Sequence, residues 1–178
     1  KHRVNWEVMK DKSKSELIST FKEQCNNIHT AVIETTKEDL SAILKQVVLE
    51  NGGGPIFTSN DKRFTGYKLD HLLDKQWPKE NIEVNKWDYT RDRELNHSIA
   101  EKANIALVFS DYSLAESGTV VVETHKGQGR ALHFLPNNYL VIIPENTIVP
   151  RMIQAVHDIN KRIEDGELVP SCINFISG

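Results

Sequence analysis

The stretch "TAVIETTKEDLSAILKQVVLENGGGPIFTS" (residues 30–59) decides the fold class, because extended and helical patterns alternate within it. Its first five residues, 30–34, predict a short apolar strand. A helix is expected next, since Thr35 and Glu38 have the spacing of a capping box. Its apolar residues recur at helical spacing and share one face: Leu40, Ile43, Leu44, Val47 and Val48. Three glycines end the helix and a strand follows at 55–59, so this order favours a parallel sheet covered by helices.

The remainder of the chain continues this alternation. The run "NIALVFS" (104–110) is apolar throughout, as expected of a strand that is buried on both faces. Further strands are predicted over 81–87, 117–125, 138–144 and 171–178, and helices over 13–28, 67–75, 91–103 and 149–166. The pattern predicts an α/β protein with one three-layer α/β/α sandwich and a mostly parallel sheet.

The composition excludes several classes of protein. The chain has 178 residues, 39% of them hydrophobic and 26% charged, with a net charge of -3. This length suits one domain with a real core. A nucleic-acid partner is not expected, because the basic surplus of such proteins is missing. No apolar run approaches the roughly 20 residues that span a bilayer, so no membrane span is expected.

The cysteines and histidines favour no metal centre. Cys25 and Cys172 lie far apart and neither belongs to a CxxC pair, so we expect no disulfide framework, iron–sulfur cluster or zinc site. The seven histidines are scattered, without HxxxH or HExxH spacing. We therefore expect a reduced, cytoplasmic setting and no metal in this chain. The sequence identifies no other cofactor.

Two carboxylates follow the strand predicted over 104–110. Asp111 comes directly after it and Glu116 five residues later, followed by Ser117, Gly118 and Thr119. Ligands of open α/β sheets lie beyond the carboxyl ends of parallel strands, so these residues are candidates for a ligand site. The alternative is that Asp111 caps a turn and Glu116 is a solvated surface carboxylate.

The segment "KGQGRA" (126–131) is a glycine loop with two interpretations. It does not fit the dinucleotide fingerprint, because Leu132 stands where the third small residue belongs and the loop is predicted to join two strands. One interpretation is a hairpin in which Gly127 and Gly129 adopt positive φ angles. The other is an anion site, in which backbone N–H groups, Lys126 and Arg130 bind a phosphate or carboxylate.

The histidines and tryptophans nearby favour structural roles. His125 and His133 flank the glycine loop, and a lone histidine at a strand end is more often structural than a proton carrier. Trp6, Trp77 and Trp87 are expected to anchor packing rather than to stack on a ligand.

Several long motifs resemble the LUD domain family, in particular its LutC/YkgG-like members. They are "KEQCNNIHT", "NGGGPIFTSNDKRF", "KANIALVFSDYSLAESGT", "LAESGTVVVETHKGQGRALHFLPNNYLVIIPENTIVPRM" and "VPSCINFISG", and together they cover most of the chain. The resemblance implies a single LUD domain over residues 1–178 with a NagB/RpiA/CoA-transferase-like, Rossmann-related fold. It also implies that the family's N-terminal extension and C-terminal segment are missing here.

The same resemblance implies a function. Members of this kind take part in oxidising L-lactate to pyruvate with two iron–sulfur partner subunits, LutA- and LutB-like, and this chain would be a binding or scaffolding subunit. Related CoA transferases carry a glutamate nucleophile in a "SENG"-like motif, and "AESG" puts Glu116 at the matching place. The alternative function is a stand-alone enzyme or sensor of a small anion, such as a sugar phosphate or CoA ester. A purely structural assembly module is a third hypothesis.

Overall fold

The computed structural model describes residues 4–178. The chain forms two compact units that alternate along the sequence. The first unit contains residues up to 33, 110–123 and 143–178, and the second unit contains 34–109 and 124–142. The single LUD domain over the whole chain stays a prediction.

The second unit is built on a parallel sheet of four strands in the order β2-β1-β3-β6. Its strands are β1 (Ile56–Thr58), β2 (Val84–Lys86), β3 (Ile105–Phe109) and β6 (Asn138–Ile142). Its helices are α3 (Leu40–Glu50), α4 (Arg63–Gly66), a π-helical turn (Leu72–Gln76), α5 (Trp77–Lys79), α6 (Arg93–Lys102) and α7 (Ala131–Phe134). The register pairs Ile56 with both Val84 and Ile105, so β1 lies between two parallel neighbours.

Helices cover both faces of this sheet. Successive residues of a strand point to opposite sides, so each strand supplies apolar side chains to both helical layers. Ile105, Leu107 and Phe109 pack on one face with the apolar stripe of α3. Ala106 and Val108 pack on the other face with residues of α6 and α7. All five residues of β3 are buried, as predicted from its continuous apolar sequence. The predicted three-layer α/β/α arrangement with a mostly parallel sheet is confirmed.

The first unit contains a second four-stranded sheet, in the order β7-β4-β5-β8. Its strands are β4 (Tyr112–Leu114), β5 (Thr119–Thr124), β7 (Ile148–Val149) and β8 (Cys172–Ile176). Its helices are α1 (Val4–Glu7), α2 (Lys14–Asn27) and α8 (Met152–Glu164), and a 3-10 turn spans Glu145–Thr147. Strands β4 and β5 are antiparallel, whereas β4 and β7 are parallel. Leu114, Val121 and Ala155 form the core between this sheet and α8.

The strand predicted over 30–34 is wrong. This segment is irregular, and Val32 and Ile33 are 37% and 54% exposed. Short β-branched runs favour extended backbone, but a strand also needs a neighbouring ladder, and residues 30–34 belong to none of the ladders described for residues 4–178.

Two local predictions also need correction, and one strand was missed. The capping box predicted for Thr35 and Glu38 is wrong: the N-cap of α3 is Asp39, which makes no side-chain cap, and in the preceding turn Thr36 Oγ1 accepts from the Asp39 amide at 3.2 Å. The helix predicted over 67–75 is displaced to later residues, because Lys68 has a φ of 58° and separates α4 from the π-helical turn. The short strand β4 was not predicted from the sequence, since its three residues carry no clear alternation.

Candidate functional site

The nine predicted site residues fall into different units. Asp111, Glu116, Ser117, Gly118 and Thr119 belong to the first unit, whereas Lys126, Gly127, Gly129 and Arg130 belong to the second. The assignment of these residues to a ligand stays a prediction.

Asp111 is engaged with the backbone of the neighbouring strand. Its amide donates to the Val121 carbonyl at 2.9 Å, and its Oδ2 accepts from the Glu123 amide at 2.8 Å. Both bonds lie at the open end of the β4–β5 hairpin, opposite its turn at 115–118. The arrangement is that of a turn carboxylate that satisfies a backbone donor.

Glu116 forms an ion pair with Arg151. Its Oε2 accepts a hydrogen bond from Arg151 Nε, and the two side chains are 30% and 25% exposed. The Glu116 amide donates to the Pro150 carbonyl at 3.1 Å. The carboxylate is thus held against the start of α8 by a side-chain contact and a backbone contact.

Ser117 and Thr119 belong to a short chain of hydroxyl groups. The Oγ of Ser117 lies 2.7 Å from Oγ1 of Thr119, which lies 2.9 Å from Oγ of Ser177. Between them, Gly118 has a φ of +66°. A Cβ on Gly118 would lie 2.9 Å from the Cys25 amide nitrogen, so α2 approaches this turn too closely for any side chain.

The glycine loop of the second unit is a tight turn. His125 and Gln128 exchange both backbone hydrogen bonds, at 3.0 and 2.9 Å. Nδ1 of His125 accepts from the Gly127 amide at 3.0 Å, and the Gly127 carbonyl accepts from the Asn60 amide at 2.8 Å. The hairpin turn is therefore present, but the loop leads from β5 to the short helix α7, and not from strand to strand as predicted.

The predicted positive φ angles at Gly127 and Gly129 are wrong. The glycines with positive φ are Gly52, Gly53, Gly118 and Gly166. Close approach explains the two loop glycines instead. A Cβ on Gly127 would lie 2.5 Å from the Asn60 carbonyl oxygen, and one on Gly129 would lie 2.0 Å from Cζ2 of Trp87.

Beside this loop the second unit has a cleft of about 400 Å³. Trp87 follows β2 directly, and its amide donates to the Thr58 carbonyl at 2.8 Å, so the cleft opens where β1 and β2 end. This is the edge at which open parallel sheets bind ligands. The lining residues are Trp87, Tyr89, Arg91, Arg93, Asn96, His97, Thr124, His125, Gly129, Arg130 and Ala131.

The cleft is basic. Three arginines line it, at 91, 93 and 130, and no carboxylate is among its lining residues. Arg91 is partly engaged, since Nη1 donates to the Lys86 carbonyl at 3.0 Å and Nε lies 3.9 Å from Asp88. Arg93 and Arg130 have no carboxylate within ion-pair distance among the described residues. Lys126 is not among the lining residues, but its Nζ lies 5.5 Å from the ring centroid of Tyr89, which lines the cleft.

Asn96 supplies a buried acceptor in the wall of the cleft. The side chain is 3% exposed, and its Nδ2 donates to the Asp88 carbonyl at 2.8 Å, which fixes the orientation of the amide. Its Oδ1 has no hydrogen-bond partner among the described residues. A buried acceptor without a partner costs free energy, about 1–3 kcal/mol, so a ligand donor at this point would be favourable.

His133 lies beneath the loop and is neutral at physiological pH. It is 5% exposed, and its Nδ1 lies 2.8 Å from the Tyr139 hydroxyl. Burial and, to a smaller extent, the nearby His125 lower the pKa of His133 to about 4. A neutral ring hydrogen-bonded to a tyrosine fits the structural role that the sequence favoured.

Sequence reasoning missed the side of the cleft that lies between β2 and α6. The segment "KWDYTRDRELNH" (86–97) contains two aromatic and four basic side chains within twelve residues. This alternation of basic and aromatic side chains is the sequence pattern that could have indicated a binding site for an anionic ligand. Trp87 does pack as predicted, with its ring centroid 5.8 Å from that of Phe57, but it also lines the cleft.

Within residues 4–178 no group of three or more His, Cys, Asp or Glu side chains is arranged to hold a metal ion. No helix of the same residues is both long and apolar enough to cross a bilayer.

The fold and the cleft define a class: a three-layer α/β protein with a basic cleft at the carboxyl edge of its parallel strands. The family model described as the LUD domain matches residues 18–178. The chain belongs to the LUD domain family.

Sequence and structure comparisons agree with this membership. The chain is 49% identical to "Lactate utilization protein C" of Geobacillus sp. (strain WCH70), over 100% of this chain and 73% of that protein. It is 41% identical to "Lactate utilization protein C" of Bacillus subtilis (strain 168), over 99% of this chain and 73% of that protein. A crystal structure of a DUF162 family protein from Deinococcus radiodurans matches with a TM-score of 0.68 and 17% identity, covering 93% of this chain and 89% of that one. The structural likeness concerns the fold alone.

Proposed function

We propose that this chain is a subunit of an L-lactate utilization system and that it serves there as an anion-binding component. The observation that carries the proposal is its identity of 41–49% with proteins named lactate utilization protein C, over nearly the whole chain. The basic cleft of the second unit supports a binding role, since arginine side chains bind carboxylate and phosphate through paired N–H donors.

Two iron–sulfur subunits, LutA- and LutB-like, are the proposed partners. They would carry the electrons of the oxidation of L-lactate to pyruvate, and this chain would bind a ligand or hold the assembly together. We place this assembly in the cytoplasm, in keeping with the two free cysteines of the chain.

Co-purification tests the proposal. The two iron–sulfur subunits are expressed with and without this chain carrying an affinity tag, and lactate-dependent reduction of a dye is measured in each preparation. We expect all three subunits to elute together and dye reduction to fall when this chain is omitted. Separate elution together with unchanged dye reduction would contradict the proposal.

A second candidate function is acyl transfer by Glu116, favoured by the "AESG" sequence around it. Its carboxylate would attack a thioester carbonyl, expel CoA as the thiolate and form a mixed anhydride. The ion pair with Arg151 holds this carboxylate beside a guanidinium. Incubation with acetyl-CoA should then release CoA and add an acetyl group to the chain, and Glu116→Gln should abolish both. If the mass of the parent protein does not increase after incubation, this function is excluded for acetyl-CoA.

A further inference from the structure

We infer that the basic cleft of the second unit binds a planar heterocycle that carries a phosphate, a ligand of mononucleotide size. The inference goes beyond the proposed function, because it names a ligand other than lactate and does not depend on the iron–sulfur partners. A nucleoside monophosphate and flavin mononucleotide share this chemistry.

The charges of the cleft favour a phosphate. Arg93 and Arg130 line it without a carboxylate partner among the described residues, and Arg91 lies with them. Arg93 is also the first residue of α6, a helix of ten residues whose N-cap, Asp92, makes no side-chain cap. The free amides of a first helical turn add to the attraction for an anion.

The size of the cleft exceeds what lactate requires. Its volume is about 400 Å³, within the range of roughly 300–1,000 Å³ that accommodates larger organic ligands. Lactate, a three-carbon acid, would leave most of this space to water. A ring joined to a phosphate would occupy both the aromatic and the basic part of the cleft.

The aromatic and amide groups favour a ring with a donor. Trp87 and Tyr89 line the cleft and offer apolar faces to a heterocycle. Asn96 lines it too, is 3% exposed and has an Oδ1 without a partner among the described residues. A ring N–H, an exocyclic amine or a sugar hydroxyl would satisfy this acceptor.

Calorimetric titration of the purified full chain tests the inference. The probes are AMP and flavin mononucleotide, their unphosphorylated counterparts adenosine and riboflavin, inorganic phosphate, and L-lactate. We expect AMP or flavin mononucleotide to bind at least about tenfold more tightly than its unphosphorylated counterpart and than phosphate, since a lost charged hydrogen bond weakens binding by that factor or more. Tighter binding of AMP would indicate a nucleoside monophosphate as the ligand, and tighter binding of flavin mononucleotide would indicate a flavin.

Matched variants locate the binding. Arg93→Ala and Arg130→Ala should each weaken binding of the preferred mononucleotide roughly tenfold. Tyr89→Ala should reduce the difference in affinity between that mononucleotide and inorganic phosphate. Lys102→Ala removes one exposed charge from the other end of α6 and should leave binding unchanged. Equal binding of every probe, or binding that Arg93→Ala and Arg130→Ala do not weaken, would overturn the inference. Binding of L-lactate alone, lost in both arginine variants, would also overturn it while leaving the proposed function intact.

Discussion

Gly129 lies directly against the indole of Trp87. A Cβ on Gly129 would stand 2.0 Å from Cζ2 and 2.1 Å from Cη2 of that ring. The indole also packs against the buried Phe57, with ring centroids 5.8 Å apart. The contact joins the glycine loop to the segment after β2, and so holds two walls of the cleft together.

Replacing Gly129 by alanine should therefore destabilise the protein. The added methyl group forces the indole or the loop to move, and overpacking of this kind costs about 1–3 kcal/mol. The free energy of unfolding, measured by urea denaturation, should fall by that amount, and ligand binding in the cleft should weaken with it.

Gly66→Ala is the matched control for this substitution. Gly66 ends α4 in the same unit, has no positive φ, and a Cβ there meets no atom within 4 Å. Its unfolding free energy should stay within about 0.5 kcal/mol of the parent. Equal losses in the two variants would contradict the role assigned to the contact with Trp87.

Gly118→Ala should be more harmful than Gly166→Ala, although both glycines have positive φ. Alanine at either position adopts left-handed backbone at a cost of about 1–2 kcal/mol. At Gly118 the methyl group also meets the Cys25 amide at 2.9 Å, whereas at Gly166 it meets nothing within 4 Å. The midpoint of thermal unfolding, Tm, should be highest for the parent, lower for Gly166→Ala and lowest for Gly118→Ala. The reverse order for the two variants would show that the approach of α2 is not limiting.

The burial of His133 should make the stability depend on pH. Its pKa is lowered to about 4 from 6.5, so the folded form resists protonation that the unfolded chain accepts. The contribution is constant above pH 6.5, is lost progressively as the pH falls from 6.5 to 4, and levels off below. Its full size is on the order of 3 kcal/mol, at 1.36 kcal/mol per pKa unit.

His133→Gln isolates this effect, because glutamine keeps a hydrogen-bonding group for Tyr139 and does not titrate. Urea denaturation of both proteins between pH 7.5 and 4, at about half-unit steps, gives the difference in unfolding free energy. We expect the parent to lose more stability than the variant over that range. Parallel curves would mean that His133 does not resist protonation in the folded state.

The parts of the fold that a single segment determines were predictable from the sequence. Strand β3 is recognisable because all of its residues are apolar, and α8 because its apolar residues recur at helical spacing between Pro150 and Gly166. The run 30–34 also contains β-branched residues but belongs to no ladder within residues 4–178, and pairing with a distant strand cannot be read from five residues. Local sequence patterns therefore predict individual helices and strands, whereas strand pairing depends on tertiary contacts between distant segments.

The candidate site was half predictable for the same reason. Lys126 and Arg130 stand out beside two glycines in one short loop. The roles of those glycines could not be predicted, because Asn60 and Trp87, which exclude a side chain there, are distant in sequence. Arg93 and Asn96 were missed because only the placement of α6 beside the loop brings them to the same cleft.

Reconstitution with a cleft variant tests the central claim, that this chain serves lactate utilization through the basic cleft. The two iron–sulfur subunits are combined with the parent chain, with Arg93→Ala/Arg130→Ala, or with Lys102→Ala, and lactate-dependent dye reduction is measured at matched stability. We expect the double variant to lose most of the activity and Lys102→Ala to retain it. Full activity with the double variant would contradict the claim.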